Sequence, residues 1–438
     1  MLAIHSAYLS FQANPFEVPF DEAATYHSDA VILIKDGHIT DVGDAQTLLP
    51  QLPNGTDIHH YPHHLLLPGF IDTHVHYSQT QMIAAFGKQL LDWLTQYTYS
   101  TELSLSNPDH ARAVAQLFLD EQLRNGTTTS AVYTTVFPTS VDAIFTEAQK
   151  RNMRLIAGKV TMDRNAPDPL LDTPQRAYDE SAALISRWHG TDRLEYAITP
   201  RFAPTSSPEQ LDMLGQLAAE HPTVLIQTHV SENRDEVELV SRLFPQRSGY
   251  LDVYDHYGLV RERSIFGHGL YLSDTELSIM HERGASIAHC PTSNFFLGSG
   301  ALNVKRIADA GVGLSLGTDL GAGTSFSMLR TLGAAYSAAQ MNGTALDAGR
   351  GFYLATRAGA QALGMDNKIG HISPGFEADL VVLDLHSTPL IEYRMGFVDS
   401  LLDALFVQMT MADDRAVAAT YVAGSRAYLR SEGTHRNA

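Results

Sequence analysis

Between residues 69 and 319, short apolar runs recur eight times, with amphipathic stretches of helical length between them. The runs lie near Gly69–Gln79, Thr127–Thr135, Arg154–Asp163, Leu194–Ala203, Thr223–Glu232, Ser264–Tyr271, Ala285–Thr292 and Val312–Asp319. Strands that alternate with helices predict a parallel sheet with helical crossovers. Eight such units predict a closed barrel rather than an open sheet. The helix starts are marked too. Asn107-Pro108, Thr173-Pro174 and Ser207-Pro208 each place a capping side chain before a proline at the first helical position. Ser207 with Gln210, and Ser273 with Glu276, have the spacing of a capping box.

The two ends follow another pattern. Ala30 to Val42 alternates and turns at Asp36-Gly37, as a β-hairpin does. Ala378 to Leu385 and Thr420 to Leu429 are further strand candidates, and neither end carries a helical crossover pattern. The expected architecture is therefore α/β: a (β/α)8 TIM-like barrel with a small β-sandwich domain built from both chain ends. Residues 1–67 and 371–438 are assigned to the small domain, and residues 68–370 to the catalytic barrel.

Composition narrows the class. Thirty basic against 49 acidic side chains give a net charge of -19, which argues against a nucleic-acid polymer as partner. No apolar run is long enough to span a membrane, and the N-terminus lacks a signal-peptide pattern. The single Cys290 excludes an intrachain disulfide and suits a reducing compartment. The expectation is a soluble, cytoplasmic protein that acts on a small molecule.

The candidate chemistry sits at the ends of the expected strands. In Phe70-Ile71-Asp72-Thr73-His74-Val75-His76, the two histidines stand two residues apart on a strand, so both imidazoles face the same side. The fifth strand ends at His229, the sixth at His268 and the eighth at Asp319. A barrel of this kind carries its active site at the C-terminal face of its strands. Three or four imidazoles and a carboxylate suit zinc or a similar divalent ion with one position open for water. A bound ion lowers the pKa of water from near 16 to about 7. Asp319 is placed to take the water proton. Glu232, three residues past His229, is read as a general acid/base; the competing reading is a charge at a helix N-terminus beside Asn233 and Arg234. The cluster His59, His60, His63 and His64 is read as solvated rather than metal-binding.

His74-x-His76, His229, His268 and Asp319 together resemble the ligand set of the amidohydrolase superfamily. Longer stretches are similar to its guanine deaminases: PGFIDTHVHYSQT (68–80), LRNGTTTS (123–130), AGKVTMDRNAPDPLLDT (157–173), ITPRFAPTSSPEQ (198–210), HCPTSNFFLGSG (289–300) and GTDLGAGTSFSML (317–329). GHISPGFEADLVVLDL (370–385) looks like the superfamily's return into its β domain. The resemblance implies hydrolytic deamination of guanine to xanthine and ammonia, one Zn2+ per subunit and a homodimer. Fe2+ or Mn2+ suits the same donors. The superfamily's two-metal members carry a carboxylated lysine on the fourth strand; Leu194 to Ala203 has no lysine, which supports one ion. The expected path is attack on carbon 2 of the base, with Asp319 as base and Glu232 protonating ring nitrogen 3. His268 is read either as a full ligand or as the group that orients water and stabilises the developing oxyanion.

The residues themselves address the substrate. Arg201, a donor-only fork, suits the 6-oxo group of guanine and would leave a 6-amino group unpaired. Gln79 offers a donor and an acceptor to the amide edge, and Phe202 is placed to stack on the ring. The substrate-contacting set is completed by His76, His229, Glu232 and Asp319. The alternatives are a surface ion pair for Arg201 and core packing for Phe202. Ser78, Ser231 and Gly269 stand where many relatives carry Pro, Cys and Cys, which bears on substrate breadth. A pterin or 8-oxoguanine shares the edge that Arg201 and Gln79 read, so deamination of such a heterocycle is the competing activity. A metal-free scaffold protein is the competing class, and loss of any ligand would have favoured it. His289 is read as a pocket or core residue, and Cys290 is not expected to act as a nucleophile.

Overall fold

The structure is a computed structural model, and it describes residues 1–87 and 89–431. Eight parallel strands form the barrel: β1 (Phe70–His76), β2 (Thr127–Tyr133), β3 (Arg154–Gly158), β4 (Leu194–Pro200), β5 (Leu225–Val230), β6 (Ser264–His268), β7 (Ser286–His289) and β8 (Gly313–Leu316). Each pairs in parallel with the next. The seam between β8 and β1 is held by the Asp319 amide, which donates to the His74 carbonyl at 2.8 Å. There the Thr73 hydroxyl also donates to the Leu316 carbonyl at 2.9 Å. All eight strands fall inside the runs read from the sequence. Fully buried strands of this kind show near-continuous apolar runs because both faces are covered.

Ile71, Ala131, Ile156, Ala197, Leu225, Ile265 and Ala288 contribute one side chain from each of β1 to β7 to a single buried cluster. The helix Arg357–Ala362 and the residues after it complete that cluster. They close the N-terminal end of the barrel, where the Ile71 amide donates to the Ala355 carbonyl. The other end is left for chemistry.

The caps form as expected at Asn107, Thr173 and Ser207. Ser273 and Glu276 close a full capping box. Ser207 caps the Gln210 amide, but the Gln210 side chain does not reciprocate. Instead the Ser207 amide and hydroxyl are bound by the Asp163 carboxylate.

The two chain ends meet in one hydrogen-bonded sheet of seven strands. Its order is Ser425–Leu429, Val417–Val422, Leu380–Asp384, Asp57–Pro68, Leu2–Phe11, Ala24–Lys35 and His38–Asp44. The expected small β domain from both chain ends is built on this sheet, with apolar clusters around Ile32 and around Val31. The Asp36-Gly37 hairpin is present. The run Thr420 to Leu429 is a hairpin rather than one strand, because Ala423 and Gly424 both adopt positive φ and turn the chain. Two helices, Pro389–Met395 and Leu401–Met411, interrupt the C-terminal part of this region, which the sequence reads as purely β. The second is almost wholly apolar, so it shows no polar stripe. It packs on helix Met328–Met341, with Phe406 edge-on to Tyr336 at 5.0 Å. Residues 432–438 of the expected second domain lie outside the described residues. His59 and His64 bond to Tyr421 and to the Pro62 carbonyl, and His60 stacks on His5. All sit on the small sheet, away from the barrel mouth.

Ion pairs tie the small sheet to the barrel. Glu377 accepts from Arg154 at the start of β3 and from Arg193 just before β4, and Arg193 also binds Asp379. Burial raises the Glu377 carboxyl, but the two guanidinium groups outweigh it and hold the pKa below the ordinary value. A carboxylate with a depressed folded pKa stabilises above its unfolded pKa, and that stability is lost as pH falls through the folded one. The melting temperature of Glu377→Gln should therefore lie below wild type at pH 7, with the gap narrowing as pH drops to about 4. A gap that stays constant over that range contradicts this role.

Candidate active site

Four imidazoles and two carboxyls converge at the C-terminal mouth of the barrel. β1 delivers His74 and His76 with ring centres 5.3 Å apart. His229 lies 4.7 Å from His74 and 5.2 Å from His76, and His268 lies 5.3 Å from His74. Asp319 follows β8 and sets one carboxylate oxygen 3.4 Å from His74 Nε2 and 3.3 Å from His76 Nε2. Its other oxygen lies 3.8 Å from His268 Nε2, and a Glu232 oxygen lies 3.4 Å from the same nitrogen. The sequence-read set of His74, His76, His229, His268 and Asp319 is brought to one point.

Local backbone serves this convergence. Ser231, His268 and Asp319 adopt left-handed backbone, with φ of 49°, 73° and 48°. For residues other than glycine such a conformation costs on the order of 1 kcal/mol and persists where surrounding structure imposes it. Gly267 and Gly317 open the slot that His74 fills. A Cβ on Gly267 would sit 2.5 Å from His74 Cε1, and one on Gly317 would sit 2.7 Å from His74 Cβ. The Tyr133 ring lies 4.7 Å from His74 and 4.5 Å from His76, and its hydroxyl has no hydrogen-bond partner among the described residues.

The protonation states follow from the partners. The Arg201 carbonyl can only accept, so His229 Nδ1, 2.6 Å away, is the donor. With Nδ1 protonated, neutral His229 turns a lone pair on Nε2 toward His76 Nε2 at 3.2 Å. His268 Nδ1 is fixed by Asn294 Oδ1 at 2.9 Å, and its Nε2 has no hydrogen-bond partner among the described residues. Burial pushes His74 down and pushes His76 and His229 well down, so these rings are neutral. Burial raises Asp319, but His74 at 3.4 Å and the other facing histidines outweigh it, and its carboxyl is held low. Several neutral nitrogens with inward lone pairs and one ionised carboxylate repel one another unless a cation lies among them. The donor set fits a divalent ion held by imidazole and carboxylate.

Glu232 differs from Asp319. Burial, with the Glu236 and Asp319 carboxyls facing it, raises its pKa well above the ordinary value. The helix that follows, Arg234–Leu243, is capped by Asn233 and Glu236 in a full capping box. Glu232 is therefore not needed as a helix-terminal charge, and it lines the cavity instead.

That cavity is narrow, about 30 Å³, and holds His76, Gln79, Arg201, Phe202, His229, Glu232, His268 and Asp319 in its wall. Leu90, Trp93, Leu94, Leu297 and Ala322 close its apolar side. Every substrate-contacting residue read from the sequence lies there. Arg201 is neither on the surface nor free: it is buried and paired with Glu102. The Phe202 ring stands 6.4 Å from that of His229. His289 is buried at the end of β7 and lies outside the cavity wall. Burial raises the Cys290 thiol well above its usual range, which leaves it unreactive. A larger cavity of about 670 Å³ lies at the opposite end of the barrel, by Ser286 and Gly313, and shares no residue with this site.

Sequence reasoning missed several supports. Asp72 accepts from the His74 and Thr318 amides at 3.3 and 3.0 Å and also from the Thr318 hydroxyl, which joins β1 to the strand end that carries Asp319. Its pKa is raised to about 6, chiefly by burial. Its signal was present, since residues 72, 74 and 76 share one parity on the strand. Glu102 and Asn294 gave none, because they reach the site from segments outside the strands.

Residues 65–427 match the amidohydrolase family. The chain belongs to the amidohydrolase family. It is 47% identical to guanine deaminase of Escherichia coli over 418 residues, which cover 95% of each chain. The fold matches the solved structure of an E. coli guanine deaminase with a TM-score of 0.96 at 45% identity, covering 98% of this chain and 100% of that one. It also matches guanine deaminase from C. acetobutylicum, solved with guanine bound in the active site, with a TM-score of 0.86 at 28% identity over 97% and 99% of the two chains. Within its family the chain stands among the guanine deaminases.

Gly267→Ala should keep the fold and weaken metal retention about tenfold or more, as loss of ligand support does. Metal content after dialysis, read beside far-ultraviolet circular dichroism, checks this. Undiminished metal in the variant contradicts the slot assigned to Gly267.

Proposed function

We propose that this enzyme hydrolyses guanine to xanthine and ammonia. The observation that carries the reading is the coincidence, in one cavity, of the convergent imidazoles and Asp319 with Glu232 on one side and Arg201 and Gln79 on the other. The histidines and Asp319 would hold a divalent ion, which would supply water acidified to a pKa near 7.

The chain's own groups then divide the work. Arg201 donates to the 6-oxo group, Gln79 meets ring nitrogen 1, and Phe202 faces the ring. Those contacts bring carbon 2 toward the mouth of the histidine cluster. Asp319 takes the proton of the attacking water as the carbon–oxygen bond forms. Glu232, whose raised pKa favours the acid form, protonates ring nitrogen 3, takes the proton of the hydroxyl now on carbon 2 and passes it to the departing amino group, and the proton held by Asp319 restores the acid. The carbon–nitrogen bond breaks, ammonia leaves, and a carbonyl remains at carbon 2. His268 Nε2, 3.4 Å from Glu232, faces the attacking water and orients it.

The convergent imidazoles and the Asp319 carboxylate support zinc, and iron or manganese suits the same donors. The one cysteine, free and buried, supports the cytoplasm as its compartment. The resemblance to the guanine deaminases supports a homodimer.

The test is ammonia release from guanine, followed beside the ultraviolet change from guanine to xanthine, for wild type and Glu232→Gln. Wild type should release one ammonia per guanine. The variant should keep its metal and lose about 10²- to 10⁴-fold in turnover, the usual share of a positioned acid/base. No ammonia from metal-loaded wild type contradicts the reading, as does a pterin that turns over much faster than guanine. A fully active Glu232→Gln contradicts the proton route.

A further inference from the structure

Glu102 lies on the short helix Tyr99–Ser104, fully buried, and is not part of the cavity wall. Its two oxygens accept from one amino group of Arg201 at 2.8 and 2.7 Å. One of them also accepts from Gln79 Nε2 at 3.3 Å. The Tyr99 ring lies 5.8 Å from the same guanidinium. Glu102 thus holds the only two side chains assigned to reading the polar edge of the base.

A glutamine amide is two-faced: its oxygen accepts, its nitrogen donates, and a half-turn exchanges them. A buried carboxylate only accepts, so it binds the nitrogen side of Gln79 and repels the oxygen side. The Gln79 oxygen is turned away from Glu102, against the backbone of Gly321, where a Cβ would stand 2.1 Å from it. Arg201 keeps its Nε and second amino group as donors. The edge offered to a base is one acceptor beside one donor.

We propose that Glu102 is a positioning residue that fixes this hydrogen-bond polarity. Through it the site selects a ring edge with N–H beside C=O over one with bare nitrogen beside NH2. The proposal rests on the guanine reading above. The bare-nitrogen edge would set a lone pair against the Gln79 oxygen and an amino group against the Arg201 donors, two mismatches in a buried site. A flipped Gln79 would relieve the first, and Glu102 prevents the flip.

The probe pair is guanine and 2,6-diaminopurine, which differ at ring position 6 and in the proton on nitrogen 1. The readout is the ratio of the inhibition constant of 2,6-diaminopurine to the KM of guanine. That ratio is independent of the fraction of enzyme that is folded. Glu102→Gln can donate as well as accept, so Gln79 is freed, and the ratio should fall by about tenfold or more with metal content unchanged. Removing the partner of a buried Arg201 can destabilise the fold. Glu102→Asp keeps the charge but draws the carboxylate back by one methylene from Gln79, so its ratio should fall as well. Ratios within about twofold of wild type in the soluble variants overturn the role of Glu102 and leave the guanine reading intact. Wild type that releases no ammonia from guanine overturns both.

Discussion

Neutral imidazoles cannot be packed with their lone pairs facing inward, beside an ionised carboxylate, without a positive charge at their centre. His229, His268 and Asp319 are held in that arrangement by the barrel itself, with His74 and His76 beside them. His229 has its other nitrogen committed to the Arg201 carbonyl, and His268 has its own committed to Asn294. Neither ring can turn its lone pair away without losing that bond. The site is therefore organised before any ion arrives, and binding energy is not spent on ordering side chains.

The seam of the barrel is part of the same device. Asp319 donates its amide to the His74 carbonyl, and Asp72 ties the His74 amide to Thr318. The first and last strands are thus joined at the residues that carry the ligands. Closing the barrel and bringing the histidines and Asp319 together share these contacts, so damage at the seam reaches both. The left-handed backbone at His268 and Asp319 fits this view, since strain is tolerated where several contacts enforce it.

The sequence was legible where periodicity and chemistry coincided. The two-residue spacing of His74 and His76 shows a shared strand face, and His229, His268 and Asp319 stand at strand ends marked by apolar runs. Asp72 had the right parity and lacked only a reason to be read as polar and buried. Elsewhere the signal was absent. Leu401–Met411 is almost wholly apolar, so it gave no clear helical stripe, although Ser400 caps it. Thr420 to Leu429 holds a turn whose only signal is Gly424-Ser425, since Ala423 carries none of its own. Glu102 lies within the long excursion between β1 and β2, and its partners become neighbours only in the folded chain. Arg201 was read as a donor to the base, and it does line the cavity, but its charge partner was invisible.

The most direct test of the central claim is the metal content of the purified chain, measured by mass spectrometry of the elements beside absorption spectra at the metal edge. The account predicts close to one divalent ion per chain, surrounded by nitrogen and oxygen neighbours only, with activity lost when the ion is removed and restored when it is returned. A metal-free chain that deaminates guanine at full rate in excess chelator, or an ion ligated through sulfur, would contradict it.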